Sequence, residues 1–271
     1  MSRIKACFDA LKAEGRGALI PYLEAFDPDR DTSQKLLNAM PEAGADIIEV
    51  GVPFSDPSAD GPTIQLAAQR GLKAGATLAG VLDMVAQFRR TNDHTPIVLM
   101  GYLNPIDHYG VERFCQEAAR SGVDGLIVVD LPPEEAGIIR PHTKANALDL
   151  ITLTAPTTPD ERLKAILADA SGFVYYVSIT GITGTNTATE DQLTQAMTRL
   201  RRATDIPVVA GFGIRTPEQA RTASRITDGA VVASAIIKAM AATFDDGQAT
   251  DASVPTALGH ISRLSKAVRN A

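Results

Sequence analysis

Short runs of consecutive apolar residues recur along the chain, each followed by a longer stretch whose apolar positions fall three or four apart. The first pattern predicts strands buried on both faces and the second predicts amphipathic helices. Strands are expected at 18–22, 46–50, 96–100, 125–129, 148–153, 173–177, 207–210 and 229–232. Helical spacing covers 62–73, 78–90, 111–120, 134–144, 159–169, 190–202, 217–224, a stretch opening at Ser234, and 254–268. A leading helix within 1–15 places Ile4, Cys7, Phe8 and Leu11 on one face, with Ser2 positioned to cap it. Asp31 or Thr32 is the expected cap of a helix carrying Leu36, Leu37 and Met40. Pro62 suits a first helical turn.

Eight strand-then-helix units in this order predict an α/β fold, a single (β/α)8 TIM barrel spanning 1–271 as one domain. The N-terminal helix is an addition, as are extra helices after strands 2 and 8. The Gly/Thr-rich stretch 178–189 reads as a flexible active-site loop, and 245–252 as a polar linker before the last helix. An open doubly wound sheet is the alternative; it would more typically show a glycine-rich dinucleotide fingerprint after its first strand, and none is present.

Composition narrows the function classes. The 271 residues are 45% hydrophobic with a formal net charge of −6, enough apolar material for a large core. The acidic balance argues against a nucleic-acid partner. Cys7 and Cys115 lie far apart without ligand spacing, which fits a reduced, cytoplasmic protein. The charged N-terminus does not read as a signal peptide, and no apolar run reaches the length of a membrane span. His94, His108, His142 and His260 show no ligand spacing; they read as surface or helix-end residues, and no metal is expected.

In barrels of this kind the chemistry sits at the C-terminal ends of the strands. The stretch IIEVGVPFSDPSADGPTIQ, residues 47–65, places Glu49 at such an end and Asp60 on the following loop. A carboxylate among Ile47, Ile48, Val50 and Val52 is costly unless it is paired or used; the bland alternative is a turn whose acids cap backbone amides. Other strand ends offer Tyr22, Tyr102, Tyr175 and the run Gly211-Phe212-Gly213. The tyrosines and Phe212 are either ordinary barrel-end core or an apolar slot for a flat ring. Gly213, Ala233 and Ser234, with Thr183 and Gly184 on the sixth loop, form a pattern suited to phosphate, because glycines admit backbone amides and a helix start is electropositive.

The 47–65 stretch resembles the signature of the tryptophan synthase alpha-subunit family, and the resemblance extends from about Gly17 to about Lys238. It implies retro-aldol cleavage of indole-3-glycerol phosphate to indole and glyceraldehyde 3-phosphate. It also implies Glu49 and Asp60 as the catalytic pair, and no cofactor in this chain. The expected partner is a pyridoxal-phosphate-containing beta subunit in an alpha2beta2 complex, faced by the loops of Asp56, Pro57 and Pro132. Glu49 would protonate the indole carbon and Asp60 would hold the ring N–H.

Four positions depart from the family pattern, one of them Ile179 in the sixth loop, where an arginine is often seen but other members also vary. Glu24 adds a third carboxyl near the mouth, where like-charge repulsion would raise the pKa of Glu49 or Asp60. Phe26 replaces a glycine, which is difficult if φ is positive, and Ala233 replaces a phosphate-loop glycine, which is tolerable if φ is negative. Two rival readings remain at this point: a stand-alone lyase, and a weakly active or non-catalytic barrel that mainly activates its partner. A synthase needing a strand-end lysine, or an epimerase needing strand-end histidines and a metal, finds neither here.

Overall fold

The computed structural model describes residues 2–177, 189–211 and 213–271. Its parallel strands are β1 (Ala18–Glu24), β2 (Ile48–Gly51), β3 (Ile97–Gly101), β4 (Gly125–Val128), β5 (Asp149–Leu150), β6 (Thr152–Thr154), β7 (Val174–Val177), β8 (Val208–Gly211) and β9 (Gly229–Val232). They form one sheet in the order β5-β4-β3-β2-β1-β9-β8-β7-β6. Its two outer members, β5 and β6, are separated only by Ile151, whose N–H bonds to the Leu126 carbonyl at 2.9 Å. They are therefore two halves of one barrel strand, and the ring closes through the chain itself. The single strand expected at 148–153 divides because its first half pairs with β4 and its second with β7.

The helices are α1 (Arg3–Ala13), α2 (Arg30–Ala39), α3 (Pro62–Lys73), α4 (Leu78–Arg89), α5 (Leu103–Tyr109), α6 (Val111–Ser121), α7 (Arg140–Ala145), α8 (Asp160–Leu167), α9 (Glu190–Arg201), α10 (Pro217–Ile226), α11 (Ser234–Ala241) and α12 (Ser253–Arg269). Two helices follow β2 and two follow β9, as the spacing predicts. The helix expected at 134–144 is instead a 3-10 turn (Pro133–Ile138) and then α7. Pro141 cannot donate to a preceding turn and is accommodated only in the first turn of a new helix. Asp29, not Asp31 or Thr32, caps α2, accepting from the Thr32 N–H at 2.8 Å. Ser2 stands at the start of α1 but sends its hydroxyl to Asp149 Oδ2 at 2.7 Å. In the 245–252 segment, Asp245 and Gln248 exchange backbone hydrogen bonds of 3.0 and 2.8 Å.

Alternation along the strands sorts side chains to two cores. Leu19, Leu23, Ile48, Val50 and Leu99 point outward to the helices. Ala18, Ile20, Ile47, Val98, Ile127, Tyr175, Val209 and Val231 point into the barrel. Ile4, Phe8 and Leu11 of α1 join the inner core and plug the N-terminal end, with the Phe8 ring 5.9 Å from that of Phe173.

That end is also held by three aspartates that precede strands. Asp46 accepts from the Leu19 N–H at 2.8 Å and from Arg16 at 2.9 Å. Asp124 accepts from the Ile97 N–H at 2.8 Å, Arg89 at 2.7 Å and Arg3 at 2.9 Å. Asp228 accepts from the Val208 N–H at 2.6 Å and pairs with Arg201. Each joins neighbouring strands through one backbone amide.

Candidate active site

The same two-residue period fixes what reaches the other end. Following Ala18 and Ile20, Tyr22 is next on the inward face of β1; following Ile47, Glu49 is next on β2. The register sets Tyr22 beside Glu49 and Glu24 beside Gly51. Tyr22, Glu49, Asp60 and Tyr175 line one cavity with Gly213, Ala233 and Ser234. Ile64, Met100, Ile214 and Val231 supply its apolar walls. These four were not singled out from sequence, although Met100 and Val231 lie on the inward positions of their strands. A wider hollow at the opposite end, beneath α1 and lined by Lys12, Arg16, Asp205 and Arg225, contains neither acid.

Glu49 is 1% exposed, and its Oε2 has no hydrogen-bond partner among the described residues. Burial, with Asp60 nearby, raises its pKa to about 8. A carboxyl in that state is largely protonated at neutral pH. Asp60 is anchored by the Tyr102 hydroxyl, which donates to Oδ2 at 2.8 Å, while Gln65 Nε2 donates to its carbonyl at 2.8 Å. Burial raises its pKa and the tyrosine hydrogen bond opposes the rise. The two acids thus occupy different environments: one buried with an oxygen that lacks a partner among the described residues, the other held by a tyrosine hydrogen bond.

Tyr102 reaches the site through that hydroxyl, which also accepts from the Ala59 N–H at 3.1 Å, while its ring packs against Phe54 at 5.2 Å. Its ring lines an adjoining small hollow. Tyr175 lies over Gly211, where any Cβ would collide with the ring. Gly213 has φ 86°, and Ser234 begins α11. Ala233 has φ −115°, outside the left-handed region, so the position does not require glycine. Ile179, Thr183, Gly184 and Phe212 lie outside the described residues. Asp56 and Pro132 are exposed and Pro57 half-buried, on the loops following β2 and β4 at the cavity's end of the barrel. His260 is half-buried within α12 rather than at a helix end, with Nε2 buried and unpartnered among the described residues.

The departures resolve in detail. Phe26 does have a positive φ, 64°; its ring is buried, stacks beneath Arg30 at 5.7 Å, and fills the space left by Gly80. Glu24 is 3% exposed, and burial, with Asp60 and Asp27 nearby, raises its own pKa well above the carboxyl range, against the Tyr22 hydrogen bond and Arg70. For Glu49, burial and Asp60 are the causes of the shift.

A family profile described as "Tryptophan synthase alpha chain" matches residues 8–265. The chain belongs to the tryptophan synthase alpha-chain family. The tryptophan synthase alpha chain of Gluconobacter oxydans (strain 621H) is 65% identical over 269 residues, covering 99% of this chain and all of that one. That of Granulibacter bethesdensis is 63% identical over 271 residues, covering 100% and 98%. The crystal structure of tryptophan synthase subunit alpha from Legionella pneumophila str. Paris superposes with a TM-score of 0.92 at 36% identity over the whole of both chains. A structure of Mycobacterium tuberculosis tryptophan synthase gives 0.89 at 35% identity, covering 99% of each chain. Tryptophan synthase alpha chains are TIM-barrel lyases that cleave indole-3-glycerol phosphate, and membership implies a beta-subunit partner. Among the described residues, no helix is long and apolar enough to cross a membrane, and no cluster of His, Cys, Asp and Glu could hold a metal ion.

Proposed function

We propose that the cavity bounded by Glu49 and Asp60 carries out the retro-aldol cleavage of indole-3-glycerol phosphate in this one-domain chain, with Glu49 as general acid and base. The observation that supports this most is the placing of a buried carboxyl with a raised pKa and a hydrogen-bonded one in a cavity that is also lined by the helix start at Ser234. Indole leaves poorly as a carbanion, so its C3 must be protonated as the bond breaks. Glu49 donates that proton, and the resulting carboxylate, directly or through a relay, takes the proton of the glycerol hydroxyl that becomes the aldehyde. Protonation at C3 leaves positive charge on the ring nitrogen, which Asp60 stabilises by accepting its N–H.

The phosphate is assigned to Gly213, Ala233 and Ser234, with Thr183 and Gly184, where the first amides of α11 are unsatisfied by the helix itself. Tyr22, Tyr102, Tyr175 and Phe212 enclose the flat ring. The loops of Asp56, Pro57 and Pro132 face a beta subunit that holds the pyridoxal phosphate, in an alpha2beta2 assembly in the cytoplasm; this chain itself needs no cofactor.

Single-turnover cleavage by Glu49→Gln tests the assignment. The amide keeps the shape but cannot transfer a proton, so the rate should fall by roughly 10²–10⁴ with substrate affinity retained. Cleavage at the wild-type rate would remove Glu49 from the chemistry.

A further inference from the structure

Tyr22 and Glu24 are successive inward residues of β1 and reach across the β1–β2 seam together. The Tyr22 hydroxyl donates to Glu24 Oε2. The pair lies over Gly51, where an added Cβ would sit 2.6 Å from that same oxygen and collide with the phenol. A side chain at residue 51 is thus incompatible with the pair. Both residues are buried, at 3% exposure each, and Tyr22 lines the cavity that holds Glu49 and Asp60.

A phenol has one proton to donate. We propose that Glu24 is a positioning residue: by taking the Tyr22 O–H, it leaves the phenol oxygen with only lone pairs to offer, as an acceptor for a hydroxyl of the substrate. The inference rests on the cleavage site assigned above. It assigns Glu24 a role through Tyr22 rather than through its own contact with substrate. Glu24 acts here through its acceptor oxygen, Oε2. Burial, with Asp60 and Asp27 nearby, raises its pKa, and the Tyr22 hydrogen bond and Arg70 oppose the rise. Without Glu24, the freed O–H would be available to Glu49 and Asp60, the two other acids whose electrostatics bear on Tyr22.

The test compares Glu24→Leu, Glu24→Gln, Tyr22→Phe and the Tyr22→Phe/Glu24→Leu double variant in indole formation across pH. Glu24→Leu and Tyr22→Phe should each lower kcat about 10-fold through lost orientation, and the double variant should be no slower than either, as expected for residues that act as a unit. Glu24→Gln retains an acceptor oxygen and should recover most of the rate. In Glu24→Leu the pKa of the limb assigned to Glu49 should shift down, because a new donor stabilises the carboxylate. Independent, multiplying losses, a Glu24→Gln variant as slow as Glu24→Leu, or a Glu24→Leu variant as fast as wild type would each overturn the proposal. Melting curves identify any variant that fails to fold, and Glu24→Gln then decides alone. Glu49→Gln, run in parallel, separates the two failures. If it is inactive while Glu24→Leu is unimpaired, only this inference falls; if it is active, the site assignment falls first.

Discussion

At Glu49 one buried carboxyl bears on both the proposed chemistry and stability. Its pKa is raised from 4.5 to about 8 in the folded chain, so the native state keeps a proton that the unfolded chain releases. Its contribution to stability is fully present below about pH 4.5 and is lost as pH rises through about 8. Glu49→Gln removes that titration. The variant should be more resistant to heat than wild type near pH 8, by up to ~4 kcal/mol, and the difference should vanish near pH 4. Thermal melts at the two pH values check this; equal stability near pH 8 would show that Glu49 is ionised without cost. The positions of Glu49 and Asp60 were readable because an acid ending an apolar run, followed by a stiff Pro/Gly loop, is a local pattern. The environment that distinguishes them was not. The Tyr102 hydroxyl that holds Asp60 comes from a residue 42 positions away, and the Glu24–Tyr22 bond depends on Gly51 across a strand seam. Phe26 was recognised as difficult, but the compensating contact with Gly80 is equally remote in sequence.

At the scale of elements, α11 links sequence to ligand most directly. It starts at Ser234, immediately after the inward-facing Ala233, so its N-terminus points into the cavity wall. Ser234→Asp places a negative charge where the phosphate is assigned. It should raise KM for substrate at least about 10-fold, with little change in melting temperature, since an acid at a helix start is not unfavourable to the helix itself. Inorganic phosphate protection of the wild type, but not of the variant, in the same melts gives an independent reading; equal protection would remove Ser234 from the phosphate site. Element types and order were legible from periodicity. Boundaries failed where special residues intervene: Pro141 restarts a helix, and Asn104-Pro105 conceals α5 by looking like a turn while lying in a first helical turn. The cap of α2 was misplaced by two or three residues, because aspartates at 29 and 31 both suit the role locally.

For the whole molecule, the expectation is a complex with a beta subunit. Sedimentation of this chain mixed with its cognate beta subunit should show an alpha2beta2 species. Asp56→Arg should weaken assembly about 10-fold or more by placing a wrong charge at the contact, while cleavage by the isolated chain is unchanged. Assembly unaffected by Asp56→Arg would move the interface elsewhere. The closed ring was legible from eight repeated units, but its closure through a divided strand was not, because pairing partners decide it. The three aspartates at the base carry a further consequence. Asp46, Asp124 and Asp228 link β1 to β2, β3 to β4 and β8 to β9, and none of them, nor their arginines, lines the catalytic cavity. These strand-linking residues and the residues that line the candidate cavity are disjoint sets at opposite ends. A substitution at the mouth, such as Glu24 or Ala233, therefore leaves the hydrogen bonds of the base untouched.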